Sequence, residues 1–329
     1  MKIRATALAA VVFFLCLGQS FGQQPTGQED AQIRAEMGAL AGEAMHGRKS
    51  GSPDELLAAQ YLASQLHEIG VQPAGDNGGY IQDVKTAYQP RIGAPFPWNT
   101  RNVVGILPGR DEKLKTEIIL LTAHMDHLGV RTLPDGTTAM FPGADDDASG
   151  CVAVLQLARA LAQGERPRRT VVFAFFGSEE TGQGLGNQAF LDHPPAPVKN
   201  IVANIAANLE FEMIGRSDPA VKPDELWLTG YERSDLGPEL AKHGAKLVAD
   251  PHPKEQFFTR SDNYWLAKRG IIAQTVSSYG MHTDYHRPGD DIAHIDFNHM
   301  EQAIQSLVGP VLWLANSDFR PQWVKGKKP

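Results

Sequence analysis

Imidazoles and carboxylates in this 329-residue chain collect at the ends of short apolar runs. The run Ile118 to Ala123 delivers His124-Met125-Asp126, and Val171 to Phe176 delivers Gly177-Ser178-Glu179-Glu180. The run Ile205 to Leu209 delivers Glu210-Phe211-Glu212. Two further segments add Asp145-Asp146-Asp147 ahead of a helical pattern at Ala148, and Asp284-Tyr285-His286 after the last apolar run. Together they form a candidate metal centre. Each piece read alone has a plainer explanation. A His-x-Asp is often a hydrogen-bonded structural pair, three aspartates before a helix satisfy its free N–H groups and its macrodipole, and an adjacent Glu-Glu is usually solvated.

Residue spacing predicts the helices and strands that would carry these groups. Ser52-Pro53-Asp54-Glu55 has the capping-box pattern, Leu56, Leu57, Tyr61, Leu62, Leu66 and Ile69 recur at helical spacing, and Gly70 gives a stop. Strands are expected over Asn102 to Leu107, Glu117 to Ala123, Thr170 to Phe176, Ile205 to Phe211, Glu225 to Thr229 and Gly270 to Ser277. Helices are expected over Ala148 to Gln163, Leu236 to Lys246 and Asn298 to Asn316. The alternation predicts an α/β fold, a mostly parallel mixed central sheet sandwiched between helices in a single domain. In such sheets functional groups gather beyond the C-terminal strand ends, where the carboxylates and imidazoles fall. Gln89 to Trp98 and Pro194 to Pro197 are short enough to be loops.

Composition narrows the function. The chain is 42% hydrophobic with net charge -7, and its basic runs are as short as the Lys325-Gly326-Lys327-Lys328 tail, so nucleic acid is not expected as a partner. Lys2 and Arg4, the apolar stretch Ala7 to Leu17 and Ser20-Phe21-Gly22 read as a signal peptide over residues 1–22, leaving 23–329 as one catalytic domain. The apolar stretch is shorter than the roughly 20 residues that span a bilayer, so the mature form is not expected in the membrane. Leu15 before Cys16 argues against lipidation. Export to the periplasm or the extracellular space follows, with Cys151 alone in the mature chain and no intramolecular disulfide.

The ordered set of His124-x-Asp126, Pro142 to Gly150, Glu179-Glu180, Glu212-Met213-Ile214-Gly215, Ser261-Asp262 and Tyr285-His286 resembles the M28 zinc peptidases. The likeness runs from about Asn102 to Ile295 and implies the zinc-exopeptidase fold and a two-zinc aminopeptidase acting on peptides with a free N-terminus. It implies one Zn²⁺ on His124, Asp145 and Glu212 and a second on Asp145, Glu180 and His286, the two sharing an activated water. Asp126 would fix the His124 tautomer, Glu179 would be the general base, and a cis peptide would follow Asp145. Tyr285 and Arg260 match residues that contact the substrate. Glu179 with Glu212 would select the free amine. The family's usual Asn-Leu-Asp-Met-Ile-Gly reads here Asn208-Leu209-Glu210-Phe211-Glu212-Met213-Ile214-Gly215. Alignment on Met-Ile-Gly selects Glu212, alignment on Asn-Leu selects Glu210, and a period of two cannot separate them. His127, His282 and His294 are read as structural or surface histidines, Trp265 and Phe190 as core or pocket wall. Competing readings on the same fold are a glutaminyl-peptide cyclotransferase with a single zinc and a receptor without metal. Oligomeric state and preferred side chain have no handle in the sequence.

Overall fold

The computed structural model describes residues 27–200 and 202–329. The signal segment at 1–22, with Cys16, lies outside the described residues. Strands β1 (Gln72–Pro73), β2 (Ile81–Tyr88), β3 (Phe96–Leu107), β4 (Ile118–His124), β5 (Gly129–Thr132), β6 (Thr138–Phe141), β7 (Thr170–Phe176), β8 (Ile205–Phe211), β9 (Leu226–Leu228), β10 (Leu247–Ala249) and β11 (Ala273–Ser277) alternate with helices. The helices are α1 (Gly27–Leu40), α2 (Pro53–Ile69), α3 (Gly150–Ala162), α4 (Leu185–Asp192), α5 (Leu236–Lys242), α6 (Asn263–Lys268) and α7 (Phe297–Asn316).

The main sheet runs β1-β3-β7-β4-β8-β11-β9-β10, with β2 also on β3. Its middle strands β7, β4, β8 and β11 are parallel, and antiparallel pairs flank them. Every residue of β4, β7 and β8 is buried. Helices cover both faces of those strands, so their sequences read as near-continuous apolar runs rather than alternating ones. One face carries α1, α2, α3, α5 and α7 over a core that includes Leu121, Phe173, Leu209 and Leu307. The other carries α4 and α6 over Leu120, Val172, Phe190 and Leu266. Each fully buried side chain of this size contributes about 1.5–3 kcal/mol, so these three strands firmly anchor the polar segments at their C-terminal ends.

The start of α2 departs in one detail from its sequence pattern. Ser52 accepts from Asp54 N and Glu55 N, and Gly70 closes the helix at φ 87°. The Glu55 carboxylate, however, does not fold back on the Ser52 amide as a capping box would. It accepts from Thr100 Oγ1 at 2.7 Å and Arg101 Nη1 at 3.1 Å, because β3 passes close enough to supply stronger partners. Among the described residues no helix is long and apolar enough to cross a membrane.

Candidate metal centre

Strand order brings the chemistry together. β4 lies between β7 and β8, so His124 at the end of β4, Glu179-Glu180 after β7 and Glu212 after β8 converge although 88 positions separate the first from the last. Ser178 turns the chain at φ 63°, held by Trp98 Nε1 donating to its hydroxyl at 2.9 Å. Asp146, on the segment between β6 and α3, reaches into the middle. Its Oδ1 is 3.1 Å from His124 Nε2, and its Oδ2 is 3.1 Å from His286 Nε2. Glu180 Oε2 is 3.2 Å from the same His286 nitrogen. Two groups of donor atoms, each within 4.8 Å of one another, result: His124, Asp146 and Glu212, and His127, Asp146 and Glu180. Asp146 belongs to both.

The residues fit a divalent ion on two grounds. His124 Nε2, both His127 nitrogens and Glu180 Oε1 are buried without a hydrogen-bond partner among the described residues, a costly arrangement for polar atoms unless something else satisfies them. Imidazole and carboxylate without thiolate suit Zn²⁺ with open positions, or Mn²⁺ and Co²⁺. Without such ions, protons on His124 and His286 balance part of the charge. Burial works against protonated His124, but Asp146, Glu179 and Asp147 outweigh it and hold its pKa well above 6.5. Burial likewise opposes the charge on His286, yet Asp146 and Glu180 raise it to about 10. On Glu180, burial and Asp146 push upward while His127 and His286 prevail and lower it to about 2.

The three aspartates divide their work in a way that corrects the expectation for Asp145. Asp145 stands outside the cluster, its Oδ1 accepting from Gly215 N at 2.7 Å and its Oδ2 lying 3.1 Å from His282 Nε2. Asp147 faces the other way, accepting from Gly150 N at 3.0 Å, Met213 N at 3.2 Å and His124 N at 3.2 Å, so it does cap the helix after it. Asp146 alone points between the imidazoles, because Asp290 grips the amides of Asp145 and Asp146 at 2.9 and 3.1 Å and sets the turn. The cis peptide also lies one bond later than expected, at Asp146-Asp147.

The Glu210 and Glu212 alternatives part clearly in space. Glu210 accepts from Ser261 Oγ at 2.9 Å, Asn263 N at 2.7 Å and Thr275 Oγ1 at 2.9 Å, which commits both its oxygens away from the cluster. Glu212, past the end of β8, faces His124 and Asp146, and burial raises its pKa to about 7. Asp126 is fully buried, but its role differs from the expected one. His124 Nδ1 meets the Asp126 backbone carbonyl at 3.1 Å while the carboxylate stays 3.8 Å away. The carboxylate accepts instead from Glu179 N at 3.0 Å, Glu180 N at 3.3 Å and the Ser50 hydroxyl, anchoring the turn that carries both glutamates.

Beside the cluster opens a cleft of about 170 Å³, bordered by Glu179, Glu180, Glu212, Tyr285 and Arg260. Burial first, then Glu212, Asp262 and Glu180, raise the Glu179 pKa well above 4.5. Tyr285 stacks on His286 at 3.9 Å, and burial with the nearby carboxylates raises its pKa, keeping the phenol a donor. Arg260 is exposed at the rim, 4.8 Å above the Phe257 ring. The far wall is aromatic: Trp227 stacks on Phe257 at 5.3 Å, and Phe257 meets Tyr279 edge-on at 5.8 Å. Trp265 borders a separate surface groove and Phe190 is core. His282 contacts Asp145 rather than the cluster, and His294 contacts Asp291 at the surface. Sequence reasoning misses this wall and His127. A His three positions after His124, just beyond a buried strand, is the available signal.

Behind the cluster, buried Arg48 donates to four carbonyls: Leu40 at 2.7 Å, Met125 at 2.9 Å, Pro142 at 2.8 Å and Gly143 at 2.8 Å. It thereby ties the segment bearing His124 and His127 to the one bearing Asp146.

The chain is 26% identical to leucine aminopeptidase 1 of Leptosphaeria maculans over 69% of its own length and 58% of that protein. It is 30% identical to leucine aminopeptidase 1 of Ajellomyces dermatitidis over 68% of its length and 58% of that protein's. It therefore spans less than two thirds of these relatives. BSAP, a zinc aminopeptidase from Bacillus subtilis, shares the fold at TM-score 0.64 and 17% identity, covering 91% of this chain and 97% of that one. LapA of Legionella shares it at TM-score 0.62 and 20% identity, over 88% and 73%. The model of peptidase family M28 matches residues 102–309, every strand end of the cluster included, and the chain belongs to that family.

Proposed function

We propose that this chain is a two-zinc aminopeptidase that removes residues from the free N-terminus of peptides, exported after loss of residues 1–22. The observation that carries the reading is Asp146, shared by two groups of donors at the mouth of a cleft that also holds Glu179. His124, Asp146 and Glu212 would hold one ion, and Asp146, Glu180 and His286 the other. When bound, the ions supply Lewis-acid activation of a water and of the scissile carbonyl. Glu179, free of both groups and fixed through its backbone by Asp126, takes the water's proton on its carboxylate and returns it to the leaving nitrogen. Glu180, occupied by the imidazoles, is not free for that task. The Tyr285 hydroxyl, kept protonated, is a donor for the oxyanion, and Arg260 at the rim meets the peptide beyond the scissile bond. Glu179 and Glu212 attract the amine, and the Trp227, Phe257 and Tyr279 wall favours an apolar first side chain. The leucine aminopeptidase relatives support that preference.

The test is hydrolysis of leucine anilide against its acetylated form, with chelator and with zinc restored. The free amine alone should be cleaved, activity should vanish with chelator, and metal analysis should give two zincs per chain. Glu179→Gln should keep both ions and lose about 10²–10⁴ in kcat. Equal rates on the acetylated substrate, or near-parental turnover of Glu179→Gln, would overturn the reading.

A further inference from the structure

Glu180 stands between two imidazoles rather than one. Its Oε2 faces His286 at 3.2 Å, and its Oε1 faces His127 Nδ1 at 2.7 Å. We infer that His127, through Nδ1, is a ligand of the second ion beside Asp146, Glu180 and His286, an inference that rests on the two-metal reading above.

Burial comes first. His127 is 1% exposed, and neither of its ring nitrogens makes a hydrogen bond among the described residues. A purely structural histidine at that depth has at least one nitrogen satisfied, since an orphaned buried polar atom costs about 1–3 kcal/mol. Nδ1 lies close to Glu180 Oε1 without the alignment of a hydrogen bond, as two donors to a common third atom do. The separations in this group, 2.7 and 3.8 Å from His127 Nδ1 and 3.1 and 3.2 Å from His286 Nε2, straddle the roughly 3–3.4 Å between ligands of an ion with bonds near 2.1 Å that can take a fifth donor.

The surroundings are built for the ring. Gly143 has φ 62°, and a Cβ there would sit 2.5 Å from His127 Cγ, so only glycine leaves the imidazole its place. The backbone is pinned as well: His127 N donates to Arg48 O at 3.0 Å, and His127 O accepts from Ser50 N at 3.4 Å. His286 meets it edge to face at 5.7 Å. The second ion then has two imidazoles and two carboxylates, the first one imidazole and two carboxylates. An added neutral donor makes the second position the tighter of the two.

The experiment loads the metal-free chain, labelled with nitrogen-15 histidine, with a spin-half cadmium isotope and counts the imidazole nitrogens that couple to metal. Three coupled imidazoles are expected, from His124, His127 and His286. His127→Gln should remove one coupling and weaken the second ion in a zinc titration by about 10–100-fold or more, leaving the first unchanged. Two coupled imidazoles in the parent chain overturn the inference, and that count needs no variant to fold. So does a His127→Gln chain whose zinc affinity falls while its coupling count matches the parent, since His127 then only orients Glu180. A parent chain that binds fewer than two ions overturns the two-metal reading itself, a failure visible in the titration before any coupling is counted.

Discussion

Replacing Arg48 by methionine removes one side chain and strands four carbonyls. The oxygens of Leu40, Met125, Pro142 and Gly143 accept from its guanidinium over 2.7–2.9 Å, and a buried carbonyl left without a donor costs about 1–3 kcal/mol. Removing the desolvated charge returns part of that sum, and water entering the gap returns more. A net loss of about 3–5 kcal/mol is expected, a large fraction of the roughly 5–15 kcal/mol that separates folded from unfolded chains. With a urea dependence of about 3 kcal/mol per molar or somewhat more for a chain of this size, the unfolding midpoint should fall by about 1 M. The measurement belongs in chelator, so that metal binding does not enter the balance. Zinc affinity of the folded variant should drop as well, because the clamp holds the His124 segment against the Asp146 segment. Arg48→Lys, which keeps the charge and loses the planar fork, should recover only part of either quantity. A midpoint within about 0.2 M of the parent, together with unchanged zinc affinity, would falsify the clamp.

Neighbouring residues carry further expectations. Glu212→Gln should weaken the first ion, whereas Glu210→Gln should leave zinc affinity intact and lower stability by about 1–3 kcal/mol, since Glu210 accepts three hydrogen bonds away from the cluster; paired zinc titrations and urea melts distinguish them, and the reverse pattern would restore Glu210 as the ligand. Burial, then Asp126, raise Glu55 from 4.5 to about 8 against the pull of Thr100 and Arg101. The folded chain therefore holds a proton that the unfolded chain releases, and the contribution is fully present below about 4.5 and lost as pH rises through about 8. Metal-free stability should decline across that window, and Glu55→Gln should flatten the decline; an identical slope in the variant would contradict it. Burial, then Asp147, raise the Cys151 thiol, so the folded chain should resist alkylation until denaturant is added.

The sheet is largely legible because strands buried on both faces announce themselves. Thr170 to Phe176 and Ile205 to Phe211 match β7 and β8 end to end. The hairpin of β2 and β3 reads partly as loop, since Pro90, Gly93 and Pro95 fall in its connection and Pro97 near the start of β3, although Tyr88 and Phe96 already pair across it. Helix α5 stops at Lys242, four residues early, where Gly244 turns at φ 103°. At the centre, residue types are readable and register is not. Three consecutive aspartates are chemically identical, and what separates Asp146 from its neighbours is that Gly215 N takes the Asp145 carboxylate and the amides of Gly150, Met213 and His124 take that of Asp147, partners that only the fold supplies. His127 escapes notice for a similar reason: a lone imidazole is usually structural, and only Gly143 and Glu180, brought close by the fold, mark it as different.

Because β4 sits between β7 and β8, the donors meet only after most of the polypeptide exists. A ribosome that has released residues up to Glu212 has supplied His124, Asp146 and Glu180 but not His286, and β11, which pairs with β8, is still to come. On the two-metal reading proposed above, the second position would be complete only once His286 has been made, and contacts this remote along the chain form slowly. An ion held there would act as a late lock on a finished scaffold rather than as a seed around which the scaffold assembles.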